Sequence, residues 1–168
     1  SLVVGVSPRA LTNDERLKTR PLLLHDKLGR AIPGLRLSIT GRCNYKCVYC
    51  RTGNEGALYG DLPFEDYLRM ARVLVAMGIN KVRLTGGEPL LRKGVVEFVR
   101  ELAKLRPPNG NGNHERLDIA LTTNGHMLAE LAQPVKDAGL TRVTVSMDAV
   151  DPDPVSYTHL TLPTILRV

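Results

Sequence analysis

A chain of 168 residues with 43% hydrophobic content is long enough to bury a core and short enough for one domain to be the default. Its formal charge of +6 admits nucleic acid, an anionic membrane surface or an acidic small molecule as partner. The bases are scattered and the aromatic content is 4%, which disfavours base stacking and a polybasic patch and leaves a polyanionic small molecule.

The longest apolar runs, at 22–24 and 73–77, fall far short of a membrane span, and the first ten residues lack the apolar centre of a secretory signal. The three cysteines are clustered rather than dispersed, as suits reduced thiols serving a metal or catalysis. A cytoplasmic protein with no nucleic-acid or membrane partner is therefore expected.

Residues 1–33 carry Pro21, Pro33 and a turn-like K-L-G-R and read as an N-terminal arm. Leu35, Leu37 and Ile39 then alternate with Arg36, Ser38 and Thr40, the period of a strand with two different faces. Cys43, Cys47 and Cys50 occupy the loop that follows. Asp61 precedes a helical stretch with Pro63 near its first position and Gly78 at its end, whose Phe64, Tyr67, Leu68, Ala71, Leu74 and Val75 share a face.

A second strand from Lys81 to Thr85 runs into G-G-E-P-L, and a second helix carries Val95, Val96, Val99, Leu102 and Ala103 at helical spacing. The turn-rich segment 106–116 reads as a surface loop. A third strand over Leu117–Thr122, a third helix using Leu128, Leu131, Ala132 and Val135, and a fourth strand over Arg142–Ser146 complete the regular pattern. An internal repeat supports it, since M-G-I-N-K-V-R-L-T resembles A-G-L-T-R-V-T-V-S.

Strands of an open parallel sheet covered on both sides read as nearly continuous apolar runs. These instead place Arg36, Ser38 and Thr40, then Lys81, Arg83 and Thr85, then Asp118, Ala120 and Thr122, then Thr144 and Ser146 on one face. The expected fold is α/β, an incomplete (βα) barrel of about four βα repeats whose functional groups gather at the C-terminal ends of the strands.

Iron-sulfur clusters are commonly held by four Cys thiolates. A CxxxCxxC triad with no fourth cysteine leaves one iron open to a ligand. A zinc site of three Cys and one His is the plainer alternative, but no His lies within ten residues of the triad, and His25, His114, His126 and His159 lack ligand spacing.

C-N-Y-K-C-V-Y-C after the first strand, with Tyr49 before the last cysteine, resembles the signature of the radical S-adenosylmethionine (SAM) enzymes. The resemblance implies that Cys43, Cys47 and Cys50 hold a [4Fe-4S] cluster whose open iron binds the methionine part of SAM. T-G-G-E-P-L, from Thr85 to Leu90, is similar to that family's GGE motif, which receives the SAM amino group. Two glycines also let a backbone approach a ligand closely, and Glu88 can accept hydrogen bonds from an ammonium.

L-R-L-S-I-T-G-R-C-N-Y-K-C-V-Y-C, K-V-R-L-T-G-G-E-P-L-L-R, L-T-T-N-G and V-T-V-S-M-D-A-V-D together resemble the GTP 3',8-cyclase family of molybdenum cofactor biosynthesis over roughly 27–153, which implies a six-repeat TIM-like barrel when complete. Carried over by motif, Tyr49, Gly86, Gly87, Glu88 and Ser146 would contact SAM, and Arg36, Arg83 and Thr122 would contact GTP. Guanidinium groups pair well with phosphate oxygens, although solvated arginines or partners such as Asp118 and Asp148 are the plainer reading of each alone. No side chain is assigned as acid or base.

The implied reaction is hydrogen abstraction from C3' of GTP and closure onto C8 to give 3',8-cyclo-7,8-dihydro-GTP. It implies an electron donor, a downstream cyclic pyranopterin synthase and, for full-length members, room for a homodimer. The competing readings are another radical SAM enzyme, such as a peptide-modifying maturase, and a non-catalytic iron-sulfur or zinc scaffold.

Members of that family are about twice as long and carry three further cysteines for a second [4Fe-4S] cluster, which this sequence lacks. The resemblance fades after Asp153. Residues 154–168 contain Pro154 and Pro163, have no helical periodicity and resemble translated adapter or misjoined sequence. The expectation is an N-terminal piece, with 34–153 as the partial barrel and 154–168 as an unrelated tail, inactive by itself as a cyclase.

Overall fold

The computed structural model describes residues 24–45, 47, 50, 60–108, 116–147 and 164–167, the last four in backbone only. In chain order the elements are β1 (Gly34–Ser38), α1 (Phe64–Ala76), β2 (Lys81–Thr85), a single 3-10 turn (Pro89–Leu91), α2 (Val95–Leu102), β3 (Asp118–Thr123), α3 (Leu128–Asp137), β4 (Arg142–Met147) and β5 (Thr164–Arg167). The expected surface loop falls largely on 109–115, outside the described residues.

β1 to β4 pair in parallel and in sequence order. Crossovers between parallel strands are almost always right-handed, so a monotonic order puts every connecting helix on the same side of the sheet. The burial follows. Leu37, Ile39, Val82, Leu84, Ile119 and Leu121 point into a core shared with Tyr67, Leu68, Ala71 and Val75 of α1, Val95, Phe98, Val99 and Leu102 of α2, and Val135 of α3. The opposite face, with Arg36 and Arg83 exposed and Thr122, Thr144 and Ser146 half-buried, carries no helix-packed apolar stripe among the described residues. This one-sided α/β arrangement is the partial barrel expected from the strand faces.

Two details differ from expectation. Ala132 is exposed and Ala138 is buried, because the inward stripe of α3 runs Leu128, Leu131, Val135, Ala138 and leaves Ala132 at its outer margin. Residues 164–167, which fall in the tail without helical periodicity and for which no strand was expected, form β5, antiparallel to β4 with Val145 opposite Leu166. Thr164 and Ile165 are β-branched, and the free edge of β4 offers unpaired backbone donors and acceptors.

The internal repeat has a physical basis. α1 ends with Gly78 N donating to Val75 O at 2.9 Å and Ile79 N to Leu74 O at 3.1 Å, while α3 ends with Gly139 N donating to Lys136 O at 2.9 Å and Leu140 N to Val135 O at 3.0 Å. Both glycines are left-handed, at φ +98° and +111°. Each helix thus closes in the same glycine cap and turns directly into the next strand.

Candidate active site

Because β1 to β4 are parallel, the segments after Ser38, Thr85, Thr123 and Met147 all leave from one end of the sheet. The cysteine segment after β1 is fastened at both roots. The Arg92 guanidinium donates to the carbonyls of Ile39 and Leu62, one on each side of the segment. It lies over the Phe64 ring at 3.8 Å from the centroid, with Tyr67 at 5.3 Å on another side, so the charge is held by π faces as well as by carbonyls. Tyr67 donates its hydroxyl to Ser38 O at 2.9 Å. Asp61 accepts from Thr40 Oγ1 at 3.0 Å and from Gly41 N at 3.3 Å, joining the same two roots a second time.

The glycines after β2 meet this segment backbone to backbone. Gly87 N donates to Thr40 O at 2.8 Å and Glu88 N to Arg42 O at 2.7 Å. A Cβ on Gly86, whose φ is +149°, would lie 2.4 Å from Thr40 O, and one on Gly87 would lie 2.3 Å from Arg42 O. The close approach anticipated for a ligand is therefore, on this side of the turn, an approach of the chain to itself.

Glu88 is 0% exposed. Its Oε1 accepts from Leu90 N at 3.0 Å and Thr123 Oγ1 at 2.8 Å, and its Oε2 accepts from Asn124 N at 2.7 Å. Burying a carboxylate is tolerable only with such donors around it. Thr123 Oγ1 in turn accepts from Gly125 N at 3.0 Å. The carboxylate thus binds the end of β3 to the turn after β2.

Asn124 carries the connection onward. Its Oδ1 accepts from His126 N at 3.0 Å, and its Nδ2 donates to Asn44 Oδ1 at 2.9 Å and faces Cys43 Sγ at 3.9 Å. Cys43 Sγ also accepts from Tyr45 N at 3.4 Å, and the Tyr45 ring meets the His126 imidazole edge-on at 6.1 Å. Cys43 and Cys47 are half-buried and Cys50 is exposed, with Cys50 N donating to Cys47 O at 3.0 Å.

Among the described residues no three His, Cys, Asp or Glu side chains converge on the position of a single metal ion. Three soft thiol donors on one segment, one of them already offered amide hydrogens, have the chemistry of iron-sulfur cluster ligands.

Of the other residues singled out in the sequence, Arg36 and Arg83 are partners in register on adjacent strands, both exposed. Thr122 pairs with Thr144 one row nearer the C-terminal end, and Ser146 stands two residues further along β4. Asp118 does not neutralise the arginine pair. It bonds Arg142, Nη2 to Oδ2 at 2.7 Å, and among the described residues neither Arg36 nor Arg83 has an ion-pair partner. Burial pushes the Asp118 carboxyl up, but hydrogen bonds from Thr141 and Arg142 and the charges of Arg142 and Lys81 bring it below the usual carboxylate range. Tyr49 and Asp148 lie outside the described residues.

Sequence reasoning missed the roles of Asp61, Tyr67, Arg92 and Asn124. For Asn124 a signal existed, an Asn-Gly pair directly after a strand at the functional end. For Arg92 there was none, because its partners are carbonyls and rings far away in sequence.

A one-sided α/β sheet with thiols, a diglycine turn and a polar face at its C-terminal end describes a partial barrel built to hold a cofactor at that end. The description "Radical SAM superfamily" matches residues 37–166, and the chain belongs to that superfamily. The superfamily employs a [4Fe-4S] cluster together with SAM, and the three cysteines that such a cluster needs are present.

Among curated relatives, the GTP 3',8-cyclase of Peptoclostridium acidaminophilum is 44% identical over 139 residues, covering 80% of this chain and 40% of the relative. That of Nautilia profundicola is 45% identical over 134 residues, covering 78% and 40%. The chain spans about 40% of the length of these two relatives. Among solved structures, BtrN in complex with AdoMet and 2-DOIA gives a TM-score of 0.54 at 21% identity over 67% of this chain and 44% of that one. SuiB of Streptococcus suis bound to S-adenosylmethionine gives 0.56 at 18% identity over 73% and 26%. These two likenesses establish the fold alone.

Proposed function

We propose that the chain is the cofactor- and substrate-binding N-terminal part of a GTP 3',8-cyclase, the enzyme that converts GTP to 3',8-cyclo-7,8-dihydro-GTP for molybdenum cofactor synthesis. The observation that carries the substrate is the Arg36–Arg83 pair. Two guanidiniums opposite one another on neighbouring strands repel, and like charges so placed destabilise a sheet. Such a pair, with no ion-pair partner among the described residues, is accounted for by an anionic ligand, and a triphosphate matches the charge and the planar fork of each group.

In this reading Cys43, Cys47 and Cys50 hold the cluster. Gly86, Gly87, Tyr49 and Ser146 border SAM, with Glu88 behind them holding the turn through its buried carboxylate rather than meeting the ammonium itself, while Arg36, Arg83 and Thr122 hold GTP on the polar face of the sheet. When bound, the cluster and SAM supply a 5'-deoxyadenosyl radical for hydrogen abstraction. The chain's own work is positional. The arginines fix the phosphates and thereby the ribose, and the fastened cysteine segment fixes the place of the cluster relative to it. A second cluster, the electron donor and a downstream cyclic pyranopterin synthase belong to the same proposal, with the second cluster's ligands outside this chain's three cysteines.

Calorimetric titration of the anaerobically reconstituted chain with GTP tests the substrate. Binding that weakens at least tenfold in Arg36→Ala and in Arg83→Ala, and that declines with added salt, is the expected result. Equal affinity in the parent and both variants would remove GTP from the proposal.

A further inference from the structure

Asn124 is held at more points, through main chain and carboxamide together, than a surface turn requires. Its main-chain amide is bound by the buried Glu88 carboxylate at 2.7 Å and its Oδ1 accepts from His126 N at 3.0 Å. The second contact decides the orientation of the amide group. Were oxygen and nitrogen exchanged, two donors would face each other at the fixed main-chain N–H of His126. The NH2 therefore has to face the cysteine segment, one hydrogen on Asn44 Oδ1 at 2.9 Å and the other toward Cys43 Sγ at 3.9 Å.

Cys43 Sγ thus receives two N–H groups, from Tyr45 and from Asn124, and the second comes from the segment that follows β3. Hydrogen bonds to the sulfurs of an iron-sulfur cluster favour the more negatively charged, reduced form and so raise its reduction potential. We propose that Asn124 is a positioning residue that presents an amide hydrogen to the first cluster thiolate, fixes Cys43 in place and raises the reduction potential of the cluster, with Glu88 acting through it. This rests on the reading that the three cysteines hold a [4Fe-4S] cluster. It assigns a role in the electron-accepting step, in which the oxidised cluster takes one electron from an external low-potential reductant.

The test is potentiometric. The parent chain and the Asn124→Ala, Asn124→Asp and Asn44→Ala variants are reconstituted anaerobically with iron and sulfide, checked for fold by circular dichroism, and titrated with dithionite while the EPR signal of the reduced cluster is followed. Asn124→Ala removes the donor and is expected to move the midpoint to more negative potential. Asn124→Asp keeps the shape and the main-chain amide but puts an acceptor beside the sulfur, and is expected to move it further in the same direction. Asn44→Ala leaves the donor in place and is expected to stay at the parent value.

A folded Asn124→Ala chain that no longer takes up a cluster, beside an Asn44→Ala chain that does, supports the positioning half of the proposal. Midpoints in both Asn124 variants equal to the parent's overturn the proposal and leave the cluster reading intact. A parent chain that forms no cluster overturns both.

Discussion

The Glu88 carboxylate accepts the main-chain amide of Asn124 at 2.7 Å across a separation of 36 residues. A buried carboxylate holding three protein donors at the hinge of two loops is a stability element. Glu88→Ala strips acceptors from two backbone amides and a hydroxyl and leaves them buried, so a loss of about 3 kcal/mol is expected. Glu88→Gln puts an NH2 against one of those donors and should lose about 2 kcal/mol. Urea denaturation of both variants, compared at equal slope, measures this. A loss below about 0.5 kcal/mol would place the carboxylate outside the stabilising network.

Gly87 meets the main-chain oxygen of Arg42 where its own Cβ would stand, at 2.3 Å. Neither partner is a side chain that can swing away. Gly87→Ala should therefore displace the segment after β1 and cost about 3 kcal/mol or more. Gly34→Ala, at a position open on all sides within 4 Å, is the control and should change stability by less than about 1 kcal/mol. Thermal unfolding of the two variants side by side gives the comparison.

The Arg36–Arg83 register pair predicts opposite signs for stability and binding. Arg83→Glu converts a repulsive cross-strand pair into an attractive one and should raise unfolding free energy by about 0.5 kcal/mol. The same change should abolish triphosphate binding. Denaturation and calorimetry on one protein sample decide it, and a variant that is both less stable and still able to bind would contradict the account.

Asp118 titrates lower in the folded chain than when unfolded. The sign follows from linkage. A depressed carboxylate contributes stability above its unfolded value, about pH 3.9, and loses that contribution as pH falls through the folded value. With its side chain 31% exposed and Arg142 at 49%, the pair is worth no more than about 1 kcal/mol. Asp118→Asn should therefore lower stability modestly at neutral pH and leave a smaller decline below pH 4 than the parent shows.

How far the sequence could be read depended on the range of each interaction. Alternation of Leu35, Leu37 and Ile39 with Arg36 and Ser38 exposed the strand faces because side-chain direction in a strand is set residue by residue. The glycine caps at Gly78 and Gly139 were equally local. The Cys and Gly-Gly-Glu motifs were visible as spacings, and the arginine pair as two equivalent places on consecutive strands. Arg92 was illegible because its role is fixed by Ile39, Leu62, Phe64 and Tyr67, which only folding brings together. β5 was illegible because two β-branched residues, Thr164 and Ile165, are too short a signal alone and its pairing depends on the open edge of β4.

Between the turn after β2 and the segment after β1 there is main chain on main chain, joined by the amides of Gly87 and Glu88. A contact between side chains has rotamers with which to absorb a displacement, but this one has only peptide planes. The turn and the roots of the thiol-bearing segment consequently translate as one piece. Strain introduced at either is therefore passed to the other, as in a welded joint rather than a sprung one.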